Sequence, residues 1–330
     1  MGHSRTVSRP STLDGMKMNA ISQDALGGPE VLRLVQVDKP VPGPTEVLVR
    51  VEAAGLNPTD WKTRALGGPL RMKPPFVLGY DVSGVVEDSG FGQALYQPGD
   101  EVFGMLKYPE GHGAFAEYVT APSRHFVRKP AAIDHVQAAG IPLAALTAWQ
   151  ALVDVAGLKG GQRVLIHAAA GGVGHLAVQI AKARGAHVIG TASAAKHDLL
   201  RGLGADELVD YRTEDFAEVV RDVDVVVDAI GGDYGPRSLR TMRRGGTIVS
   251  LALSVLDQSV HARAAELGIR SAAMLVEPDY AAMRAIAALA EAGRLRAEIA
   301  AVLPLAESVK AHELGETNRT TGKIVLTVPH

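Results

Sequence analysis

Residues 163–174 read RVLIHAAAGGVG: an apolar run, a turn of small residues and the start of a longer periodic segment. Val164, Leu165 and Ile166 have the character of a buried strand. Over 173–184, Val173, Leu176, Ala177, Ile180 and Ala181 recur at helical spacing, which makes one apolar stripe able to cover a sheet, and Gly185 stands where a helix C-cap is expected. A strand that feeds a small-residue turn and then a helix presents free backbone amides, aligned with the helix dipole, to a pyrophosphate. Gly171 permits a tight turn and Gly174 lets the helix pack close to the strand. With Ala169, Gly172 and Val173 they form the candidate phosphate cradle. Ala169 takes the place of the first glycine of the usual G-x-G-x-x-G pattern. A tight turn without a ligand would read the same locally, so the surrounding elements decide.

Downstream, strand-like runs at 187–192, 207–211, 224–230, 247–252 and 270–275 follow the run at 163–169, with helical patterns between them. Six strands in this alternation predict an α/β fold with a doubly wound parallel sheet that binds a dinucleotide, a Rossmann sheet. Upstream the rhythm differs. EVLVRVE at 46–52 alternates apolar and polar residues, and short runs at 82–87, 101–105 and 115–120 are separated by Gly67-Gly68-Pro69, Pro98-Gly99-Asp100 and Gly111-His112-Gly113. This is a β-rich barrel or sandwich. Beyond Pro278 a periodic helix at 280–292 leads through 303–309 to a last strand at 323–328, which can pair with the first region and make that domain discontinuous. The expected division is a leader at 1–16, a β-rich domain from 17–141 and 279–330, and a nucleotide-binding domain at 142–278.

Composition narrows the function classes. With 330 residues, 47% apolar and 21% charged, the chain has the usage of an ordinary globular protein with room for two cores. A net charge of -2 without a basic stripe argues against nucleic acid as a partner. The absence of cysteine excludes disulfides, thiolate metal sites and a thiol nucleophile. No apolar stretch is long enough for a membrane span and the first residues lack a signal-peptide core, so the expectation is a cytoplasmic protein, a transit peptide being the alternative reading of the leader.

The choice of nicotinamide cofactor turns on the second strand. HVIGTASAAK at 187–196 carries Thr191, Ala192 and Ser193 where an NAD site ends in an acid. Without that carboxylate a 2′-phosphate meets no repulsion, and Ser193 and Lys196 supply a hydrogen bond and a positive charge. Lys196 alone could equally be a solvated lysine at a helix start. Tyr211 offers a hydroxyl or a stacking face. The expected cofactor is NADPH. Ser250, Leu251 and Ala252, at the C-terminal end of the fifth strand, are placed to meet the nicotinamide half, and Arg319 is a further candidate for the phosphate.

The blocks EVLVRVEAAGLNPTDWK (46–62), VLGYDVSGVV (77–86), PGDEVFG (98–104), GAFAEYV (113–119), LTAWQAL (146–152), AAAGGVG (168–174) and TGKIVLTV (321–328) resemble, in order, the zinc-free quinone oxidoreductase (zeta-crystallin-like) branch of the medium-chain dehydrogenase/reductase superfamily. The resemblance implies a GroES-like β-rich catalytic domain beside the Rossmann domain, a cleft between them, a homodimer, and hydride transfer from NADPH to a quinone or activated enone. Zinc-dependent relatives place ligands at the positions of Asn57 and Tyr80, neither a usual zinc ligand, and no metal is expected. His112, His125 and His135 are read as isolated loop or surface residues, and His167 as a core or cofactor-adjacent one. Without a metal the substrate oxygen needs a hydrogen-bond donor. Asn57 is the candidate, its alternative being a turn residue before Pro58, with Asp60 capping the following helix. Thr147, opening a helix, and Tyr80, beside Asp81, are the other catalytic candidates, each with a structural alternative. A tyrosine that many relatives carry about eleven residues after the Asn57 position is missing at 66–69, which favours quinones and small enones over enoyl thioesters. The competing readings are an NADPH-binding sensor or structural protein with little turnover, and a zinc-free alcohol or ketone reductase.

Overall fold

Val223–Asp228, sequence VDVVVD, is buried at every residue, as a strand covered by helices on both faces must be. It lies at the centre of a parallel sheet whose order is Glu207–Asp210, His187–Ala192, Arg163–Ile166, Val223–Asp228, Met242–Ser250, Arg270–Ala273. The order reverses between Arg163–Ile166 and Val223–Asp228, which opens a crevice beyond their C-terminal ends. The computed structural model describes residues 15–110, 113–251 and 258–330. The expected leader up to residue 14, His112 and Ala252 lie outside these.

The six strands are those read from the sequence, but most stop sooner. Arg163–Ile166 ends before the expected residue 169 because the chain turns at Ala168, which takes a left-handed φ of 50°. Val223–Asp228 ends before 230 because the Asp228 carboxylate accepts the N–H groups of Ile230 and Gly231, both at 2.9 Å, and curls the chain into a turn. The helix after the phosphate turn is Gly174–Ala183.

The β-rich part is a seven-stranded sheet ordered Ile299–Pro304, Lys323–Thr327, Glu46–Leu56, Asp81–Ser89, Glu101–Met105, Phe126–Arg128, with Tyr118–Pro122 also on Glu46–Leu56. The last strand does pair with the first region, antiparallel, with Ile324 opposite Leu56. Ile299–Pro304 lies parallel beside it. The run at 303–309 is therefore divided: the strand ends at Pro304 and a helix, Ser308–Glu316, begins four residues later. A three-stranded sheet of Lys17–Gln23, Arg33–Asp38 and Phe76–Val77, not anticipated from the sequence, completes the β structure. One buried cluster holds Val49 and Leu326 of the antiparallel sheet and Ile166 and Val225 of the parallel one, bridged by Leu143 and Leu146 of the helix Pro142–Trp149. Among the described residues no helix is long and apolar enough to cross a membrane.

Register positions the site. Gly55 lies opposite Asp81 and Leu56 opposite Ile324. The ends of three adjacent strands thus bring residue 57, residue 81 and residue 323 together, although 242 positions separate the last two.

Candidate functional site

A cavity of about 660 Å³ opens between the two sheets at the point where the parallel strand order reverses, walled by the turn at 168–174 on one side and by Asn57, Thr59 and Tyr108 on the other. Gly171, Gly172, Val173 and Gly174 line it, as the phosphate reading requires. Ala169 does not: its side chain is buried and its N–H donates to the Thr191 carbonyl at 3.0 Å. The left-handed residue of the turn is Ala168 rather than a glycine, and the Gly171 N–H closes the turn on the Ala168 carbonyl at 2.8 Å. Gly174 is the residue that sterics demand. A Cβ there would lie 2.3 Å from the Ala168 carbonyl oxygen and 2.7 Å from the Ala169 Cα. The glycine allows the first turn of the helix to sit on the strand end, so that its N-terminus faces the cavity and can hold a pyrophosphate.

The floor opposite the turn is a buried polar cluster. Asn57 Nδ2 donates to Asp81 Oδ2 at 2.9 Å and lies 3.5 Å from the Gly55 carbonyl, while Lys323 Nζ donates to Asn57 Oδ1 and reaches Asp81 Oδ2 at 3.4 Å. Asp81 Oδ1 accepts the Leu143 N–H at 2.7 Å, which ties the cluster to the helix that lines the cavity. Asn57, Asp81 and Lys323 are 1%, 0% and 3% exposed, so the lysine is held by its partners rather than by water. Burial pushes the Asp81 carboxyl above its usual range against the pull of the Lys323 ammonium and the Asn57 amide. Asp60 supports this group from behind: its Oδ2 accepts the Asn57 N–H at 2.7 Å from within the helix Pro58–Leu66, as a capping residue does. Burial pushes its carboxyl up to about 8, so it is neutral at pH 7.

The remaining candidates divide. Thr147 lines the cavity, but it does not open its helix, which begins at Pro142; its hydroxyl donates back to the Leu143 carbonyl at 2.7 Å. Tyr80 is fully buried beneath Tyr108, ring centroids 5.1 Å apart and edge-on, and it is Tyr108 that faces the cavity, its hydroxyl accepting from Thr59 Oγ1 at 3.2 Å. Leu251 lines the cavity, whereas Ser250 lines a separate void of about 30 Å³ beside Asp228 and Ser271. Ser193 leads the single turn Ala194–Lys196, and Lys196 Nζ donates to the Arg319 carbonyl at 3.3 Å. Neither Lys196 nor Arg319 has an ion-pair partner among the described residues. Tyr211 lies just past the strand end at Asp210, half exposed. Lys62, Tyr108 and Lys323 also line the cavity and are not among the site candidates that the sequence offers. Lys323 had a signal, a lysine at the head of an otherwise apolar strand.

Among the described residues no group of three or more His, Cys, Asp or Glu is arranged to hold a metal ion. His135 is less isolated than its sequence suggested, bonding Ser83 Oγ at 2.8 Å and Glu101 at 3.2 Å. His167 is a core residue, between Thr191 Oγ1 and Ser238 Oγ with Phe216 and Tyr234 against its ring. Desolvation pushes His167 and His312 down to about 3 and His175 down to about 4, from 6.5. A histidine whose folded pKa is depressed contributes stability that is present above its unfolded value and lost as pH falls through the folded one. The urea midpoint of unfolding is therefore expected to fall steadily as pH is lowered from about 6.5 toward 4; a midpoint constant across that window would contradict the burial of these rings as neutral groups.

Two family models match the chain: an alcohol dehydrogenase GroES-like domain over residues 43–131 and a zinc-binding dehydrogenase over residues 203–326. The chain is 34% identical to the mitochondrial NAD(P)H oxidoreductase RTN4IP1 of Mus musculus, over 92% of this chain and 88% of that one. It is 33% identical to the 2-methylene-furan-3-one reductase of Solanum lycopersicum, over 98% and 81%. Among solved structures, the quinone oxidoreductase from Coxiella burnetii superposes with a TM-score of 0.89 at 38% identity, covering 95% of this chain and 100% of that one.

Proposed function

The chain belongs to the medium-chain dehydrogenase/reductase superfamily and is an NAD(P)H-dependent oxidoreductase, and from that premise we propose that it transfers a hydride from NADPH to a quinone or an activated enone without zinc. The observation that carries the proposal is the cavity itself. A helix N-terminus and a glycine turn form one wall and a buried amide–carboxylate–ammonium cluster forms the other, with apolar surface from Trp61, Met274 and Leu275 between them. The amides of Gly171, Gly172, Val173 and Gly174 would hold the pyrophosphate, and Leu251 would meet the nicotinamide half. The bound nicotinamide supplies the hydride. The protein contributes orientation, exclusion of water and a donor for the substrate oxygen. Thr147, through its methyl face, and Tyr108, through its hydroxyl, shape the substrate side. The quinone and enone classes are those in the names of the Coxiella and tomato proteins.

Preference for NADPH over NADH rests on Ser193, Lys196 and Arg319. The second strand ends without an acid, and Lys196 and Arg319 are joined by the bond from Lys196 Nζ to the Arg319 carbonyl, with no ion-pair partner for either among the described residues. The proposal also keeps the division into a Rossmann domain at 142–278 and a GroES-like domain from 17–141 and 279–330, supported by a parallel sheet that draws every strand from Arg163–Ile166 to Arg270–Ala273. It includes a cytoplasmic homodimer, although the name of the murine relative places that protein in mitochondria.

The activity is tested by following NADPH absorbance with 1,4-benzoquinone, 9,10-phenanthrenequinone and a short enone; binding of NADPH without turnover of any of them would overturn it. For the cofactor, Lys196→Ala with Arg319→Ala is expected to weaken NADPH by at least about tenfold, each charge-assisted phosphate bond contributing about 1.5–3 kcal/mol, and to leave NADH nearly unchanged. Equal losses for the two cofactors would remove the NADPH assignment.

A further inference from the structure

Hydrogen-bond accounting at the cavity floor singles out one residue. The two amide hydrogens of Asn57 have acceptors inside the fold, Asp81 Oδ2 at 2.9 Å and the Gly55 carbonyl at 3.5 Å, so its nitrogen has no donor left for a ligand. An ammonium has three N–H bonds. Lys323 directs one at Asn57 Oδ1 and one at Asp81 Oδ2, and no acceptor among the described residues takes the third. Lys323 lines the cavity, and its stem runs beside the turn, with Cδ 3.5 Å from where a Cβ on Gly172 would lie.

We propose that Lys323, and not Asn57, is the catalytic donor that meets the substrate oxygen, with Asn57 and Asp81 as positioning residues that aim it. This rests on the quinone and enone reading given above. In the step served, a hydride adds to the β-carbon of the enone, its carbon–carbon π bond breaks, and the electron pair moves onto the carbonyl oxygen. The enone gains two electrons and the nicotinamide loses two. The enolate oxygen that results carries the negative charge that the remaining N–H of Lys323 would meet from the cavity lining, and the α-carbon then takes its proton from water. Lys323 keeps all three protons throughout. A quinone accepts the hydride in the same way, one of its oxygens becoming the phenolate. A fixed cation in a site with little water stabilises such an oxyanion far more than a neutral amide does, because its orientation is set before the charge appears. Asp81 on one side and Asn57 on the other set that orientation here, each held in turn by backbone, Asp81 by Leu143 N–H and Asn57 by the capping bond to Asp60.

The test uses 4-nitrophenol as a stable phenolate probe, with and without NADP⁺, in the full chain. The wild-type protein is expected to bind it as the yellow phenolate, with its apparent pKa lowered by about one unit or more, a tenfold preference for the anion. In Lys323→Met, and in Asp81→Asn/Lys323→Met if the single variant does not fold, that shift disappears, kcat with saturating NADPH and enone falls by about a hundredfold, and NADPH affinity measured by fluorescence stays within about threefold. An unchanged nitrophenol shift in the variant overturns the proposal. So does a loss confined to NADPH affinity, which would make Lys323 a cofactor phosphate ligand. A wild-type protein that shifts nitrophenol but reduces neither quinone nor enone would refute the proposed substrate class and leave the donor assignment standing.

Discussion

Asp81→Asn is expected to destabilise the protein by about 3 kcal/mol, and the double variant Asp81→Asn/Lys323→Met to recover most of that loss. The substitution keeps the side-chain shape and an oxygen for the Leu143 N–H, while it removes the charge and turns an amide N–H group toward Asn57 Nδ2 and Lys323 Nζ, which lose their acceptor. What it leaves is a lysine that is 3% exposed with no anionic partner in contact. Burying an unpaired charge costs several kcal/mol, whereas removing both charges together is often close to neutral. Asp60 limits the damage. Its carboxyl is held up to about 8 chiefly by burial and partly by the charge on Asp81, so loss of Asp81 lowers it and lets Asp60 ionise toward Lys323. The sign follows from linkage. A group whose folded pKa is raised above its unfolded value contributes stability that is present below the unfolded pKa and lost as pH rises through the folded one. The wild-type protein therefore loses stability from this carboxyl as pH rises from about 4 to about 8, and the Asp81→Asn variant should lose less over the same range. Urea denaturation of the wild-type, single and double variants at pH 6 and pH 9 measures both effects. A double variant as unstable as the single one would show that the ion pair is not what the substitution disturbs.

The parts of the site that sequence discloses are those set by neighbours in the chain. The turn at 168–174 follows from a strand, five small residues and a helix stripe in succession, and the expectation for Gly174 follows from the same local rule. The last strand, Lys323–Thr327, was also within reach, because the consecutive apolar residues Ile324, Val325 and Leu326 read as a buried strand in need of a partner. The cluster of Asn57, Asp81 and Lys323 was not, because it depends on the register of three strands distant in sequence, and a slip of one residue would point the side chains to the opposite face. Tyr80 shows the same limit at shorter range. Gly79 just before it takes a left-handed φ of 99°, which breaks the alternation that would have given its facing, and Tyr80 turns into the core while Tyr108 from another loop takes the cavity. At the end of Met242–Ser250 neighbouring residues line different cavities, Leu251 the large one and Ser250 the small one, a division that position at a strand end does not disclose. Arg33–Asp38 gives a weak signal because no residue of it is fully buried and its one apolar face amounts to Val35 and Val37.

Gly174→Ala is expected to lower both stability and cofactor affinity, and Gly172→Ala to spare stability. At Gly174 the added methyl would meet backbone alone, the Ala168 oxygen at 2.3 Å and the Ala169 Cα and C at 2.7 and 2.8 Å. No rotamer change relieves a clash with backbone, so the helix Gly174–Ala183 must move off the strand end by a substantial fraction of an ångström. That movement disturbs the packing of Leu176, Ala177 and Ile180, all fully buried, at a cost of about 1–3 kcal/mol. It also displaces the amides that face the cavity. A shift of that size in a positioning element costs up to about a hundredfold in function, and a loss of at least about tenfold in NADPH affinity is expected here. At Gly172 the nearest atom to an added Cβ is Lys323 Cδ at 3.5 Å, an ordinary contact, so the fold accepts the methyl and only the space open to the pyrophosphate shrinks. Thermal unfolding without cofactor separates the two variants, since only Gly174→Ala should unfold at lower temperature. Fluorescence titration with NADPH then reports the amides. If Gly174→Ala melted with the wild-type protein and bound NADPH with the same affinity, close approach of helix and strand could not be what places the phosphate cradle, and the reading of the turn as the cofactor site would lose its geometric basis.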